Sequence, residues 1–207
     1  MKAATLVPLL VLLAPIAVAQ ETSVAAPVLS CLDAASRAET EWNLPPGMLA
    51  AIGRIESGRL NPLTRQVEPW PLAINSTGTD RYHASLLDAV ADVTREQASG
   101  IRSLDVGCFQ INLFYHPMAF ANLDEAFDPL ANARYAARFL TALRTEAGSW
   151  NLAIARYHSA VPDIGEPYRQ KVMATWLEGP VLAELAVTAP TIAVARSRHR
   201  QDFFQSQ

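Results

Sequence analysis

The chain has 207 residues, half of them hydrophobic and 18% charged, with a formal net charge of −3. That length supports one domain with a proper core, or at most two small ones, and the composition belongs to a globular chain, not a disordered one. The charge balance lacks the basic footprint of a nucleic-acid binder and gives no strong attraction to anionic membrane surfaces.

Residues 1–19 read as a secretory signal peptide. Lys2 supplies a short positive region, Thr5 to Val18 is apolar but broken by Pro8 and Pro15, and Ala17-Val18-Ala19 is a small-residue cleavage site before Gln20. Cleavage after Ala19 would deliver an exported, periplasmic chain. No cysteine follows the cleavage site to accept a lipid. Residues 20–27 are a loose leader. A first helix is expected from about Val28 to Trp42, with Val28, Leu32, Ala35 and Trp42 on one face. Asn43-Leu44-Pro45-Pro46 then breaks the chain, and the two prolines suit the first turn of a second helix. Met48, Leu49, Ile52 and Ile55 recur at helical spacing and form its buried stripe.

Residues 59–83 lose helical periodicity. Trp70 to Asn75 suits a short strand that turns at Asn75-Ser76-Thr77-Gly78 back to Arg81-Tyr82, a small hairpin. Ser85 opens a third helix, with Asp88 three positions on and a face of Leu86, Leu87, Val90 and Val93; Gly100 ends it. Leu104 to Phe114 reads as a tight loop or a short turn of helix. Asp128-Pro129 starts a helix to about Thr145, with Leu130, Ala137, Phe139 and Leu140 available for the core. Ser149 caps another through Tyr157. A last helix is expected from about Pro167 to Leu177, carrying Tyr168, Val172, Met173 and Trp176. Gly179-Pro180 closes a domain spanning 28–180, and 181–207 reads as a flexible tail. The sum is an α+β chain, mostly α, in which a cleft between a helical lobe and a hairpin is the natural place for a site.

Glu56 is the residue of chemical interest. It follows directly on the apolar stripe, two residues before the helix-stopping Gly58. The helix C-terminus carries the negative end of the dipole, and apolar neighbours desolvate a carboxylate. Both favour the protonated form that a general acid needs. A surface glutamate at a fraying helix end is the alternative. Cys31 and Cys108 are the only cysteines. In an exported chain an even count points to one disulfide, with two separate buried thiols as the alternative.

Four stretches then occur in order: Glu56-Ser57-Gly58, Gly107-Cys108-Phe109-Gln110-Ile111-Asn112, Ala153-Ile154-Ala155-Arg156-Tyr157-His158-Ser159 and Pro167-Tyr168-Arg169-Gln170-Lys171-Val172. Together they resemble the soluble lytic transglycosylase (SLT) domain, a branch of the lysozyme-like superfamily, over about residues 30–178. The resemblance implies a lysozyme-like fold and cleavage of peptidoglycan glycan strands between N-acetylmuramic acid and N-acetylglucosamine, leaving a 1,6-anhydro sugar. It makes Glu56 the catalytic acid/base. Ser57 would orient substrate or carboxylate, Gln110 and Asn112 would lie on the substrate side, Tyr157 would touch the glutamate, and Tyr168 matches a tyrosine near the final helix. The chain departs from the family's Ala-Tyr-Asn-Ala-Gly motif, carrying His158-Ser159-Ala160 after Tyr157. The hairpin and the Cys31/Cys108 pair look like those of small exported members.

Ser103-Leu104-Asp105-Val106-Gly107 through Asn112 also resembles a stretch of animal-type lysozymes, where the matching aspartate is a second carboxylate and water hydrolyses the bond. Asp105 could therefore serve a muramidase together with Glu56, or simply brace its loop. A non-catalytic peptidoglycan-binding module is a further alternative. His83, His116 and His158 lack metal-ligand spacing, so neither metal nor cofactor is expected. Trp70 and Tyr115 could stack on sugars or pack as ordinary aromatics. A monomer is expected. Small single-domain members of the family often open the wall for secretion or conjugation machines, and such an envelope-spanning machine is the partner the resemblance implies.

Overall fold

Ser30 sets the start of the first helix: its Oγ accepts the Asp33 N–H, and α1 runs Cys31–Trp42. The computed structural model describes residues 29–188, so the signal peptide, the leader and residues from 189 onward lie outside the described residues. The elements that follow are α2 (Met48–Glu56), β1 (Gly58–Leu60), β2 (Val67–Pro69), β3 (Ala73–Ser76), β4 (Thr79–Tyr82), α3 (Leu86–Ala98), β5 (Leu104–Val106), β6 (Ile111–Asn112), α4 (Leu123–Phe127), α5 (Pro129–Ala147), α6 (Trp150–His158) and α7 (Pro162–Thr188). The chain is α+β, mostly α. No helix among the described residues is long and apolar enough to cross a membrane.

Two cores hold these elements. The larger gathers α1, α2, α5, α6 and α7 around the Cys108–Ile111 segment. Alanines at 34, 35 and 38 of α1 and at 133, 136 and 137 of α5 are all fully buried. Their small side chains let the two helices approach closely, while Met48, Leu49, Ile52 and Leu140 fill the space beside them. The smaller core packs Ile74, Leu104 and Val106 of the sheet against Ala89 and Val93 of α3 and Ala126 and Phe127 of α4. Cys31 and Cys108 are joined in a disulfide that ties the start of α1 to the segment between β5 and β6.

The structure corrects several sequence expectations. The hairpin exists as β3–β4, turning at Thr77-Gly78 with φ of 51° and 77°, the left-handed pair that a two-residue hairpin turn favours. It is half of a four-stranded antiparallel sheet ordered β4-β3-β5-β6, with a separate β1–β2 pair beside it. The expected loop at Leu104–Phe114 therefore contains two strands. They are three and two residues long, too short for alternation to stand out. Pro45 and Pro46 precede α2 and do not form its first turn. Trp42 is exposed, as are Leu86 and Leu87. The buried face of α3 is instead Ala89, Asp92 and Val93, because Asp92 receives Arg81 at 2.7 Å and His83 at 2.9 Å from the sheet side. The last helix starts at Pro162, not Pro167, and runs through Gly179-Pro180 to Thr188. An interior proline costs about 3 kcal/mol and kinks a helix without always ending it. The first residues of the expected tail, 181–188, thus belong to this helix, and its remainder lies outside the described residues.

Candidate active site

Glu56 is the last residue of α2, and both ends of that helix are anchored. At the start, the buried Glu39 carboxylate of α1 accepts the N–H groups of Gly47 (2.8 Å), Leu49 (2.7 Å) and Ala50 (3.1 Å). A carboxylate at a helix N-terminus satisfies orphan donors and complements the dipole. At the end, Ser57 is buried; its Oγ donates to Cys108 O at 2.7 Å and accepts the Trp70 N–H at 3.1 Å. Ser57 does not line the cleft; of its two expected tasks, orienting substrate or carboxylate, these bonds suit the second, since they brace the helix end that carries Glu56. Gly53 lets the Phe109 ring lie against α2, since a Cβ there would sit 2.9 Å from it.

Glu56 opens into a cleft of about 720 Å³ between the helices and the four-stranded sheet. The sheet wall follows from register. Asp80, Asn75, Asp105 and Asn112 are successive cross-strand partners over β4, β3, β5 and β6, so their side chains share one face. All four line the cleft. They are tied in pairs: Asn75 Nδ2 donates to Asp80 Oδ1 at 2.5 Å, and Asn112 Nδ2 donates to Asp105 Oδ1 at 2.8 Å. Neighbouring residues Ile74 and Val106 point the other way, into the smaller core.

The turn between β5 and β6 brings Gln110 to the cleft in a left-handed conformation, φ 46°. Its Nε2 donates to Gly107 O at 2.9 Å and to Ala73 O at 3.3 Å, so the donors are spent on backbone and the amide oxygen remains for a ligand. Asn132 of α5 holds this turn from below. Fully buried, it accepts the Phe109 N–H at 2.9 Å and donates to Val106 O and Ala126 O. Gly107, at φ 81°, has no room for a side chain because a Cβ would lie 2.5 Å from Asn132 Nδ2.

The helical wall supplies two tyrosines with different tasks. Tyr168 of α7 donates its hydroxyl to Glu56 Oε1 at 2.5 Å. Tyr157 of α6, expected to touch the glutamate, lines the cleft but donates to Phe109 O at 2.9 Å. Burial and the nearby Glu56 charge push both phenols well above their usual range, so they stay donors. Arg156, His158 and Ser159 complete this wall. Glu56 itself is only partly exposed. Desolvation raises its carboxyl from 4.5 to about 7 against the Tyr168 bond, with Asp105 and Asp80 adding to the rise. Asp105 is also raised, again mainly by burial, with the Asn112 bond and the His158 imidazole pulling the other way.

Glu56, Asp105, Gln110, Asn112 and Tyr157 thus meet in one cleft, and Tyr168 reaches it through Glu56. Tyr115 lines it too, whereas Trp70 stands outside and donates its indole N–H to His83 O. Asn75, Asp80, Arg156 and Phe139 line the cleft without having been singled out. The only sequence signal for Asp80 was its place opposite Asn75 across the Thr77-Gly78 turn. Among the described residues no group of three or more His, Cys, Asp or Glu side chains could hold a metal ion. No protein family, curated protein or solved structure matches this chain.

Proposed function

We propose that this protein is a peptidoglycan lytic transglycosylase with a lysozyme-like fold, acting in the periplasm, with Glu56 as its acid/base. One observation carries the reading: a carboxyl raised to about 7 opens into a polar cleft while a buried tyrosine grips one of its oxygens. Near neutrality such a group is present in both protonation states, as a residue that gives and then takes a proton must be. Protonated Glu56 would donate to the glycosidic oxygen, releasing the N-acetylglucosamine hydroxyl. The resulting carboxylate would take the proton of the muramyl C6 hydroxyl as that oxygen attacks C1 of the same sugar. The 1,6-anhydro ring closes, Glu56 regains its proton, and no water is consumed. Attack within one residue is favoured by proximity. The cleft, with amide and carboxylate groups on the sheet wall and aromatic groups and Arg156 on the helix wall, suits a glycan strand.

A second reading has its own observation. Asp105 lines the same cleft and raises the Glu56 carboxyl through its charge. A muramidase would use the pair, with water as the nucleophile. Mass spectrometry of fragments released from purified sacculi separates the two. Anhydro-muramyl ends that vanish in Glu56→Gln are expected. Products heavier by one water, lost in Asp105→Asn, would replace the transglycosylase by the hydrolase. Binding to sacculi without release would overturn both in favour of a non-catalytic module.

A further inference from the structure

His158 ends α6 and lines the cleft, with its ring laid flat on that of Tyr168. The centroids are 4.7 Å apart and the planes 10° apart. Tyr168 is itself almost fully buried, 6% exposed, so the imidazole covers the ring on the side of the cleft. The phenol beneath donates to Glu56 Oε1, and Oε2 has no hydrogen-bond partner among the described residues. An oxygen that accepts a short hydrogen bond from a phenol does not also carry the acid proton, so the proton of neutral Glu56 belongs on Oε2. Tyr168 thereby selects the acidic oxygen, and His158 covers the selector. Asparagine, which the transglycosylase motif has at this position, offers no ring to lay over another.

We propose that His158 is a positioning residue: by covering Tyr168 it keeps cleft water from the phenol, holding the hydroxyl on Glu56 Oε1 and the acid proton on Oε2. Water admitted beside Tyr168 would compete for that bond and hydrate the carboxyl, drawing it back toward the ordinary carboxylate range. The other titratable groups lining the cleft with Glu56 are Asp105 and Asp80 from the sheet, Tyr115 and His116 from the segment after β6, and Tyr157 and Arg156 from α6. Charged residues on other neighbouring elements are engaged elsewhere: Glu39 of α1 sits at the far end of α2, Arg59 of β1 lies over Trp70, Glu68 of β2 binds Asn61 and Thr64, and Glu166 and Arg169 of α7 pair with each other.

The assignment deepens the Glu56 reading above, and its test needs no substrate. The Glu56 carboxyl is titrated by carbon-13 NMR in the wild-type chain and in His158→Ala and His158→Phe, both at an exposed position that leaves the core untouched. The wild-type midpoint near 7 should fall by about one pH unit in the alanine variant. It should return in phenylalanine, which covers the ring without a charge. An alanine variant titrating like wild type overturns the proposal. So does a phenylalanine variant shifted as far as alanine, since a ring laid over Tyr168 would then not be what holds the midpoint. In the sacculus assay the alkaline limb of activity should move with the NMR midpoint. Wild-type protein that releases no fragments would sink the transglycosylase reading, while the titration would still decide the role of His158.

Discussion

Glu56 carries a measurable cost with its chemistry. Its carboxyl sits near 7 in the folded chain against 4.5 in water. Because the folded value lies above the unfolded one, the unfolded chain loses its proton first. Stability from this group is therefore highest below about 4.5 and erodes as pH rises to about 7. The shift caps the loss at about 3 kcal/mol, and the partial exposure of the side chain reduces it. Glu56→Gln should then be more stable than wild type by about 1–2 kcal/mol at pH 8 and equal to it at pH 4, read by urea unfolding at the two pH values. Equal stability at both would mean that Glu56 is no more desolvated than a surface acid. Turnover by the wild-type chain should fall about tenfold per pH unit above about 7, as the acid form disappears.

At the scale of elements, side chains hold the backbone that holds the site. Asn132 satisfies Phe109 N–H, Val106 O and Ala126 O in the buried floor beneath Gln110. Asn132→Ala would leave those groups unpaired and should cost about 2–4 kcal/mol in denaturant unfolding, with loss of activity well before loss of fold. Such partners were not legible in the sequence. Asn132 looks like any polar residue on a helix, and Glu39 like a solvated one, because their donors arrive from 23 and 8–11 positions away. The caps Ser85, Asp128 and Ser149 were legible because each bonds three residues onward. The buried face of α3 was not, since it is chosen by Arg81 and His83. Glu56 and Gln110 could be picked out by their motifs, whereas Asn75 and Asp80 gain their place only from strand register.

Among the described residues the fold is closed by a covalent tie and by hydrogen bonds of long reach. The disulfide spans 77 residues, from α1 to the turn that presents Gln110. Chain-entropy arguments give such a loop about 4.5 kcal/mol. Reduction, or Cys31→Ala with Cys108→Ala, should lower stability by about 2–5 kcal/mol in urea unfolding with and without reductant. A chain of equal stability in both would assign the fold wholly to its two hydrophobic cores.

Tyr168 and Glu56 stand 112 positions apart, and α7 also reaches back through the Trp176 indole, which donates to Pro46 O at 2.8 Å. Order of synthesis gives this pairing a consequence. A ribosome extends α2 long before it reaches α7. Until the last helix emerges and docks, Glu56 lacks both its phenol and the packing that desolvates it, and it has the acidity of any glutamate in water. The chain therefore cannot acquire its acid piecemeal: the proton arrives with the final helix, so a prematurely ended product stopping before Tyr168 would carry the motif without the chemistry.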